Sequence, residues 1–413
     1  MRKWMAGLLA VMLVSGVSVG VSASPTDGQG HRIVLTSTSA SRARLVVRHK
    51  LGNGRVSADV TDAQLASLER QGISYERVPE RWVVARPTKG KPGGGGSRPL
   101  PSTQVPYGIK MIYGDPILAP AGISGGAGIT VAILDTGSIN HVDFTRADGT
   151  KVITGCVDFS QKKSNQVEGV CADGNGHGTH VTGTVAAAGG LDGMGVFGVA
   201  PQASVFSYKV LNNQGRGYAD DVARAIRVAA DRGAKIISMS LGSSSPSIDE
   251  QEAIQYAASK GALVVAAAGN SGPDAGTIGY PGGFAEAVAV AALNPDEAVS
   301  YFSSRGITDG NDGTIAEREV EVAAPGRSTI STYKDGGYTT MSGTSMATPH
   351  IAGLAAKMWQ GSATRTRDWL RQAAQNHDII AAEQINNAGP GYDIAGGYGL
   401  PQVNTLSQPM WNN

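Results

Sequence analysis

Beyond residue 128 the chain alternates two patterns. Continuous apolar runs, "ITVAILDTG", "ASVFSYKVL", "AKIISMSLG", "ALVVAAAGN" and "AVAVAAL", read as strands. Between them, "DDVARAIRVAADRG" and "SIDEQEAIQYAASKG" place apolar residues at helical spacing, and a further helix is expected to begin near Ser345. Strands that are apolar on both faces, separated by helices, predict an α/β fold: a mostly parallel central sheet with helices on both faces. A smaller α+β unit precedes it, from His31 to about Arg86. There "HRIVLTS", "RARLVVRHK" and "RWVVARP" read as strands. "TDAQLASLERQG" reads as a helix with Thr61 or Asp62 as N-cap and Gly72 as its stop. The two units are joined by "TKGKPGGGGSRPLP", whose glycines and prolines have nothing to pack and mark an exposed linker open to cleavage.

The first residues add a compartment. Arg2 and Lys3 precede an apolar run from Trp4 to Val14, and Val21, Ser22 and Ala23 have the small-residue pattern of a cleavage site. The run is short for a membrane span, so this is a secretory signal peptide and the product is expected to be secreted, with no membrane attachment after its removal. The expected organisation is 1–23 signal peptide, 24–90 N-terminal domain, 91–101 linker and 102–413 main domain, with no further domain. The 413 residues allow this many units, and 41% hydrophobic with 17% charged residues provides for a large core. Lys and Arg number 35 against 34 Asp and Glu, so charge gives no reason to expect nucleic acid as a partner. Export also favours a disulfide between the two cysteines, Cys156 and Cys171, over two buried thiols.

Candidate chemistry follows from the strand ends. In open parallel sheets, sites form at the carboxyl ends of the strands. Three runs end there on Asp135-Thr136-Gly137, Ser240-Leu241-Gly242 and Gly269-Asn270. Two other segments fit the same edge: "DGNGHGTHVTGTVAA", with glycines around His177, and "GTSMATPH", with Ser345 at a helix start. Five residues separate Ser345 from His350, roughly 140° around a helix, so they face different ways. Pro349 requires the helix to begin close to Ser345. His350 is therefore a packed histidine, and the base for a Ser345 nucleophile is His177, oriented by Asp135. The side-chain amide of Asn270 and the Ser345 N–H, at a helix N-terminus, would hold an oxyanion.

Together "ILDTG", "GHGTHVTGTVAA", "VAPQASVFSYKVL", "SMSLG", "VVAAAGNSG" and "SGTSMATPHIAGLAA" resemble the segments of subtilisin-like serine proteases, from about Val105 to Asn404. The resemblance implies a subtilisin-like fold and a serine endopeptidase with Asp135, His177 and Ser345 as triad and Asn270 as oxyanion donor. It implies an S1 pocket between Ser240, Leu241, Gly242 and Ala267, Ala268, Gly269, with Gly279 at its base. Room there suggests bulky apolar P1 residues. Gly215, Arg216 and Gly217 would form the second edge strand clasping an extended polypeptide substrate. The N-terminal unit resembles the family's propeptide, an intramolecular inhibitor and folding aid of a zymogen, and the enzyme is expected to be monomeric.

The family usually binds calcium, and Asp143 matches a ligand position. The expected glutamine, Gln104, looks one residue displaced, and "AAAGGLDGMG" is longer than the usual ligand loop, although Asp192 could compensate. His177 and His180 lack a third ligand at zinc spacing. A silent binding protein on the same fold would need a substituted catalytic position, and none is seen. A lipase or esterase would show a Gly-x-Ser-x-Gly elbow, which is missing.

Overall fold

The computed structural model describes residues 30–87, 100–161, 166–307, 315–379 and 390–405. The expected signal peptide lies outside them, as does the linker except for its last two residues.

The N-terminal unit contains β1 (His31–Thr36), α1 (Ser37–Arg42), β2 (His49–Gly52), β3 (Arg55–Val60), α2 (Asp62–Arg70) and β4 (Glu76–Arg77). Its antiparallel sheet has the order β2-β3-β1-β4. Ile33, Leu35, Val56, Leu65 and Leu68 form its own small core. Thr61 caps α2: its hydroxyl accepts the Gln64 N–H while the Gln64 side chain accepts the Thr61 N–H. Two expectations differ. Residues 37–42, which span the end of one expected strand and the start of the next, form α1, started by Thr36 whose side chain accepts the Ser39 N–H. Of "RARLVVRHK", only its last two residues enter a strand.

The main domain holds an eight-stranded sheet built from β7 (Thr130–Asp135), β8 (Ile153–Asp158), β9 (Val167–Glu168), β10 (Ser204–Lys209), β12 (Ile236–Met239), β14 (Leu263–Ala267), β15 (Val288–Leu293) and β16 (Val322–Pro325). The order is β16-β15-β14-β12-β7-β10-β8-β9, and every pair is parallel except β8 with β9. Alternate residues of β7 feed two cores. Val131 and Ile133 join Val181 and Val185 of α4 (His177–Ala186) with Ile351 and Leu354 of α7 (Thr344–Lys357). Ala132 and Leu134 join Val222 and Ile226 of α5 (Ala219–Asp231) with Ile254 of α6 (Ile248–Ser259). This is the α/β layering expected from the apolar runs. Helix α7 is buried from Thr344 to Ala356, which is why its residues are small: a Cβ on Gly353 would stand 2.7 Å from Cβ of Val199.

The N-terminal unit sits on α5 and α6 through ion pairs. Arg32 donates to Asp220 (3.0 Å) and Asp221 (3.2 Å), His49 pairs with Asp221 at 2.7 Å, and Arg55 with Asp249 at 2.9 Å. The last segment of the unit, expected as its final strand, leaves it. Glu80–Val83 (β5) enters the main domain as the centre of a three-stranded sheet, between β11 (Arg216–Tyr218) and β13 (Leu241–Gly242). Arg86–Pro87 (β6) pairs with β18 (Tyr338–Ser342), which also pairs with β17 (Thr329–Thr332). Helices α3 (Tyr107–Tyr113) and α8 (Ala363–Gln375) complete the α7 face.

Candidate active site

Asp135 ends β7 beside the point where the chain order of the sheet reverses, and His177 opens α4. Nδ1 of His177 lies 2.8 and 2.9 Å from the two Asp135 oxygens, with both side chains buried. The Thr136 N–H donates to Asp135 Oδ1 at 2.7 Å and fixes the carboxylate. The His177 Nε2 is buried and has no hydrogen-bond partner among the described residues.

A residue not singled out in the sequence organises this corner. Asp173 is buried, and its carboxylate accepts from Thr136 Oγ1 (2.8 Å), Gly176 N (2.7 Å), Thr179 N (2.8 Å) and Thr179 Oγ1 (2.7 Å). It thereby caps the orphan N–H groups that open α4 and locks Thr136 beside Asp135. The only signal was an acid four residues before His177 in a glycine-rich loop. Gly178 must lack a side chain because a Cβ would come within 2.1 Å of the Gly137 carbonyl. The Cys156–Cys171 disulfide, with Cα atoms 6.0 Å apart, anchors the strand leading into this loop, and the Cys171 carbonyl accepts the Ser138 N–H.

Ser345 is the second residue of α7. Its hydroxyl donates to the Ser240 carbonyl (2.9 Å), not to His177, and the Ser240 hydroxyl donates back to the Ser345 carbonyl (2.8 Å). The second bond is open to Ser240 because Pro349, four residues on, has no N–H to offer that carbonyl. His350 packs as expected. Nδ1 donates to the Met346 carbonyl at 2.7 Å, Nε2 is unpartnered among the described residues, and burial pushes its pKa down to about 4. His180 Nε2 donates to the Thr329 carbonyl at 3.1 Å, and burial, reinforced by His177, lowers its pKa to about 3.

The chain's own backbone occupies the cleft. The Val84 carbonyl accepts from Asn270 Nδ2 at 3.0 Å and from the Ser345 N–H at 3.3 Å. Asn270 is oriented by Thr344, whose N–H (2.9 Å) and hydroxyl (3.1 Å) both donate to its Oδ1. A Cβ on Gly343 would lie 2.5 Å from that Val84 oxygen, so only glycine lets the carbonyl in. Upstream, Val83 donates to the Gly215 carbonyl at 3.0 Å, and β5 pairs Trp82 with Arg216, Arg81 with Gly217, and Val83 with Leu241. Gly279 ties the expected S1 walls together: its N–H donates to Ala268 (2.8 Å), while the next residue, Tyr280, exchanges backbone bonds with Ser243. Gly269 takes a left-handed φ of 111° next to Ala267 and Ala268, turning the chain toward Asn270.

Around Asp143 the loop 188–197 closes tightly. Asp143 Oδ2 accepts from the Val196 N–H (2.9 Å) and the Tyr338 hydroxyl (2.8 Å), and a Cβ on Gly195 would collide with the carboxylate at 2.0 Å. Gln104, displaced in sequence, nevertheless reaches this loop, with Nε2 2.5 Å from the Gly193 carbonyl. Asp192 instead accepts the Met194 N–H within its own turn, at 3.0 Å. A buried carboxylate, a side-chain amide and loop carbonyls form an oxygen-rich donor set of the kind calcium prefers. The one cluster of three potential ligands found among the described residues, His49, Asp220 and Asp221, is engaged by the arginines of the N-terminal unit.

Comparison with known proteins gives a consistent result. Residues 126–399 match the subtilase family. Subtilisin from Bacillus sp. (strain TA39) is 42% identical over 365 residues, covering 84% of this chain and 83% of that protein. Subtilisin DY from Bacillus licheniformis is 40% identical over 280 residues, 66% of this chain and 92% of that protein. Among solved structures, Sphericase shares 46% identity at a TM-score of 0.68, covering 73% of this chain and 99% of that one.

Proposed function

This chain belongs to the subtilase family and is a serine endopeptidase acting on polypeptides, and we propose that it is made as a zymogen whose first substrate is its own Val84–Ala85 bond. The observation that carries this is the Val84 carbonyl lying 3.0 Å from Asn270 Nδ2 and 3.3 Å from the Ser345 N–H, with strands paired on both sides of it. In this reading the Ser345 hydroxyl turns from the Ser240 carbonyl toward the bare Nε2 of His177, gives up its proton there, and attacks the Val84 carbonyl carbon. Asp135 holds Nδ1 and stabilises the charge on the imidazole. Asn270 and the Ser345 N–H take the negative charge that develops on the Val84 oxygen. The imidazolium then protonates the Ala85 nitrogen as it leaves, and water releases residues up to Val84 from the acyl-enzyme by the same steps.

In this reading the propeptide ends at Val84, six residues short of the boundary expected at 90, because the Val84 carbonyl is the one held by Asn270 and the Ser345 N–H, and it remains docked as inhibitor through β5 and the ion pairs on α5 and α6. Ser240, Leu241, Gly242, Ala267, Ala268, Gly269 and Gly279 enclose the P1 side chain, and Gly215, Arg216 and Gly217 clasp the backbone beyond it. The protein is secreted as a monomer after removal of residues 1–23, and no described helix is long and apolar enough to cross a membrane. Calcium would be held by Asp143, Gln104 and the carbonyls of loop 188–197, with Asp192 outside the set. When bound, it would stiffen that loop.

N-terminal sequencing of the secreted product and of the Ser345→Ala variant tests the reading. The expected result is Ala85 as the first residue of the wild-type product and an uncut Val84–Ala85 bond with no caseinolytic activity in the variant. A variant that still processes itself would refute the assignment of Ser345.

A further inference from the structure

The residue three before the scissile carbonyl carries a charge that is buried inside the substrate cleft. Arg81 is fully buried, as is Glu250 at the start of α6. Arg81 Nε donates to both Glu250 oxygens, at 3.0 and 3.1 Å, and Nη2 donates to Oε2 as well. Nη1 donates to the Ser243 hydroxyl at 2.6 Å and to the Glu80 carbonyl at 3.0 Å. With Val84 as P1, Arg81 is P4, and its backbone is fixed opposite Gly217 by β5 pairing. The next side chain, Trp82 at P3, is 45% exposed, so the cleft reads P4 far more closely than P3.

Glu250 belongs to the main domain and stays when the propeptide leaves. Burial pushes its carboxyl up, and Arg81 opposes that shift. Removing the guanidinium therefore leaves a carboxylate in a recess without the cation that compensates it, which is a costly state. A bidentate guanidinium restores the pairing in a geometry that neither a neutral chain nor a point charge reproduces.

We infer that Glu250, with Ser243, makes this protease selective for arginine at P4 of its substrates. The same contact that docks the propeptide becomes, in the mature enzyme, a specificity pocket four residues upstream of the cut. The inference rests on the reading of Val84 as P1 and of Ser345 as nucleophile.

The test uses mature wild-type enzyme and fluorogenic tetrapeptides Ac-Xaa-Ala-Val-Val-aminomethylcoumarin, with Xaa as arginine, citrulline, lysine or norleucine. Citrulline keeps the shape of arginine and removes its charge, so the comparison needs no mutant. Arginine should exceed citrulline and norleucine by about 10–100-fold in kcat/KM, with lysine between them. In Glu250→Gln enzyme, quantified by active-site titration, the arginine advantage should fall to within about threefold of citrulline. Equal rates on arginine and citrulline in the wild type, or an arginine preference that survives in Glu250→Gln, would overturn the inference while leaving the active site intact. Failure to cut any of the four peptides would count against the proposed P1 register as well.

Discussion

The two buried histidines that catalysis does not use set an acid limit on the fold. His350 has its pKa lowered from 6.5 to about 4, and His180 from 6.5 to about 3, in both cases because burial disfavours the charged ring. Each folded-state value lies below the unfolded one. Above pH 6.5 both states are neutral and the histidines cost nothing. Between 6.5 and about 4 the unfolded chain takes up protons that the folded chain refuses, so stability falls as the pH falls. At pH 5.0 the gap is 1.5 pH units below the unfolded value for each ring, or about 2 kcal/mol per histidine at 1.36 kcal/mol per unit. Together they remove about 4 kcal/mol, a large part of an ordinary domain's stability. The measurement is guanidinium unfolding of Ser345→Ala protein, which cannot digest itself, at pH 7.5 and 5.0, with and without His350→Gln. Other titrating groups contribute nearly equally to both proteins, since repulsion from His350 is the smallest of the influences on His180. The variant's loss between the two pH values should be smaller by about 2 kcal/mol. An identical loss would refute the reasoning, whatever the variant's stability at pH 7.5.

Three further outcomes are expected. Asn270→Ala should lower kcat about 10²–10³-fold with little change in KM, a range known for the same donor in subtilisin rather than worked from this chain, and steady-state kinetics on a peptide substrate would show it. Replacing both Cys156 and Cys171 by serine should cost about 3 kcal/mol for a loop of this length, seen as a lower denaturant midpoint; no change would mean the bridge constrains nothing. Chelation by EDTA should lower the melting temperature of wild type, and Asp143→Asn should abolish that response, whereas Asp192→Asn should not.

Much of the main domain was legible because its signals are local. An apolar run such as "ALVVAAAGN" can be buried on both faces only in a parallel sheet, and Asp135, His177 and Ser345 each stand at an element boundary. What could not be read was partnership. Glu80–Val83 is an ordinary strand in pattern, and its pairing with Arg216 and Leu241 instead of its own unit depends on an edge made far downstream. Helix α1 is short and polar, so it carries no periodicity and is held by its Thr36 cap. Asp173 acts through the N–H groups of Gly176 and Thr179 and the hydroxyls of Thr136 and Thr179, a convergence that only the fold produces. Arg81 itself was a clue, since an arginine at the head of the apolar run Trp82-Val83-Val84 is buried only beside an acid.

The uninterrupted passage of the backbone past Ser345 also fixes the kinetic order of maturation. If Val84–Ala85 is the first bond cut, as proposed, that cut is intramolecular: its half-time should be unchanged by dilution, and one molecule suffices. Every later cut requires β5 to leave, so activity in trans should appear after a lag set by dissociation of the released fragment rather than by bond cleavage. A culture of this protein would then contain fully cut yet silent enzyme, and the rate at which protease activity emerges would report how long the arginine and histidine contacts of the N-terminal unit hold on to α5 and α6.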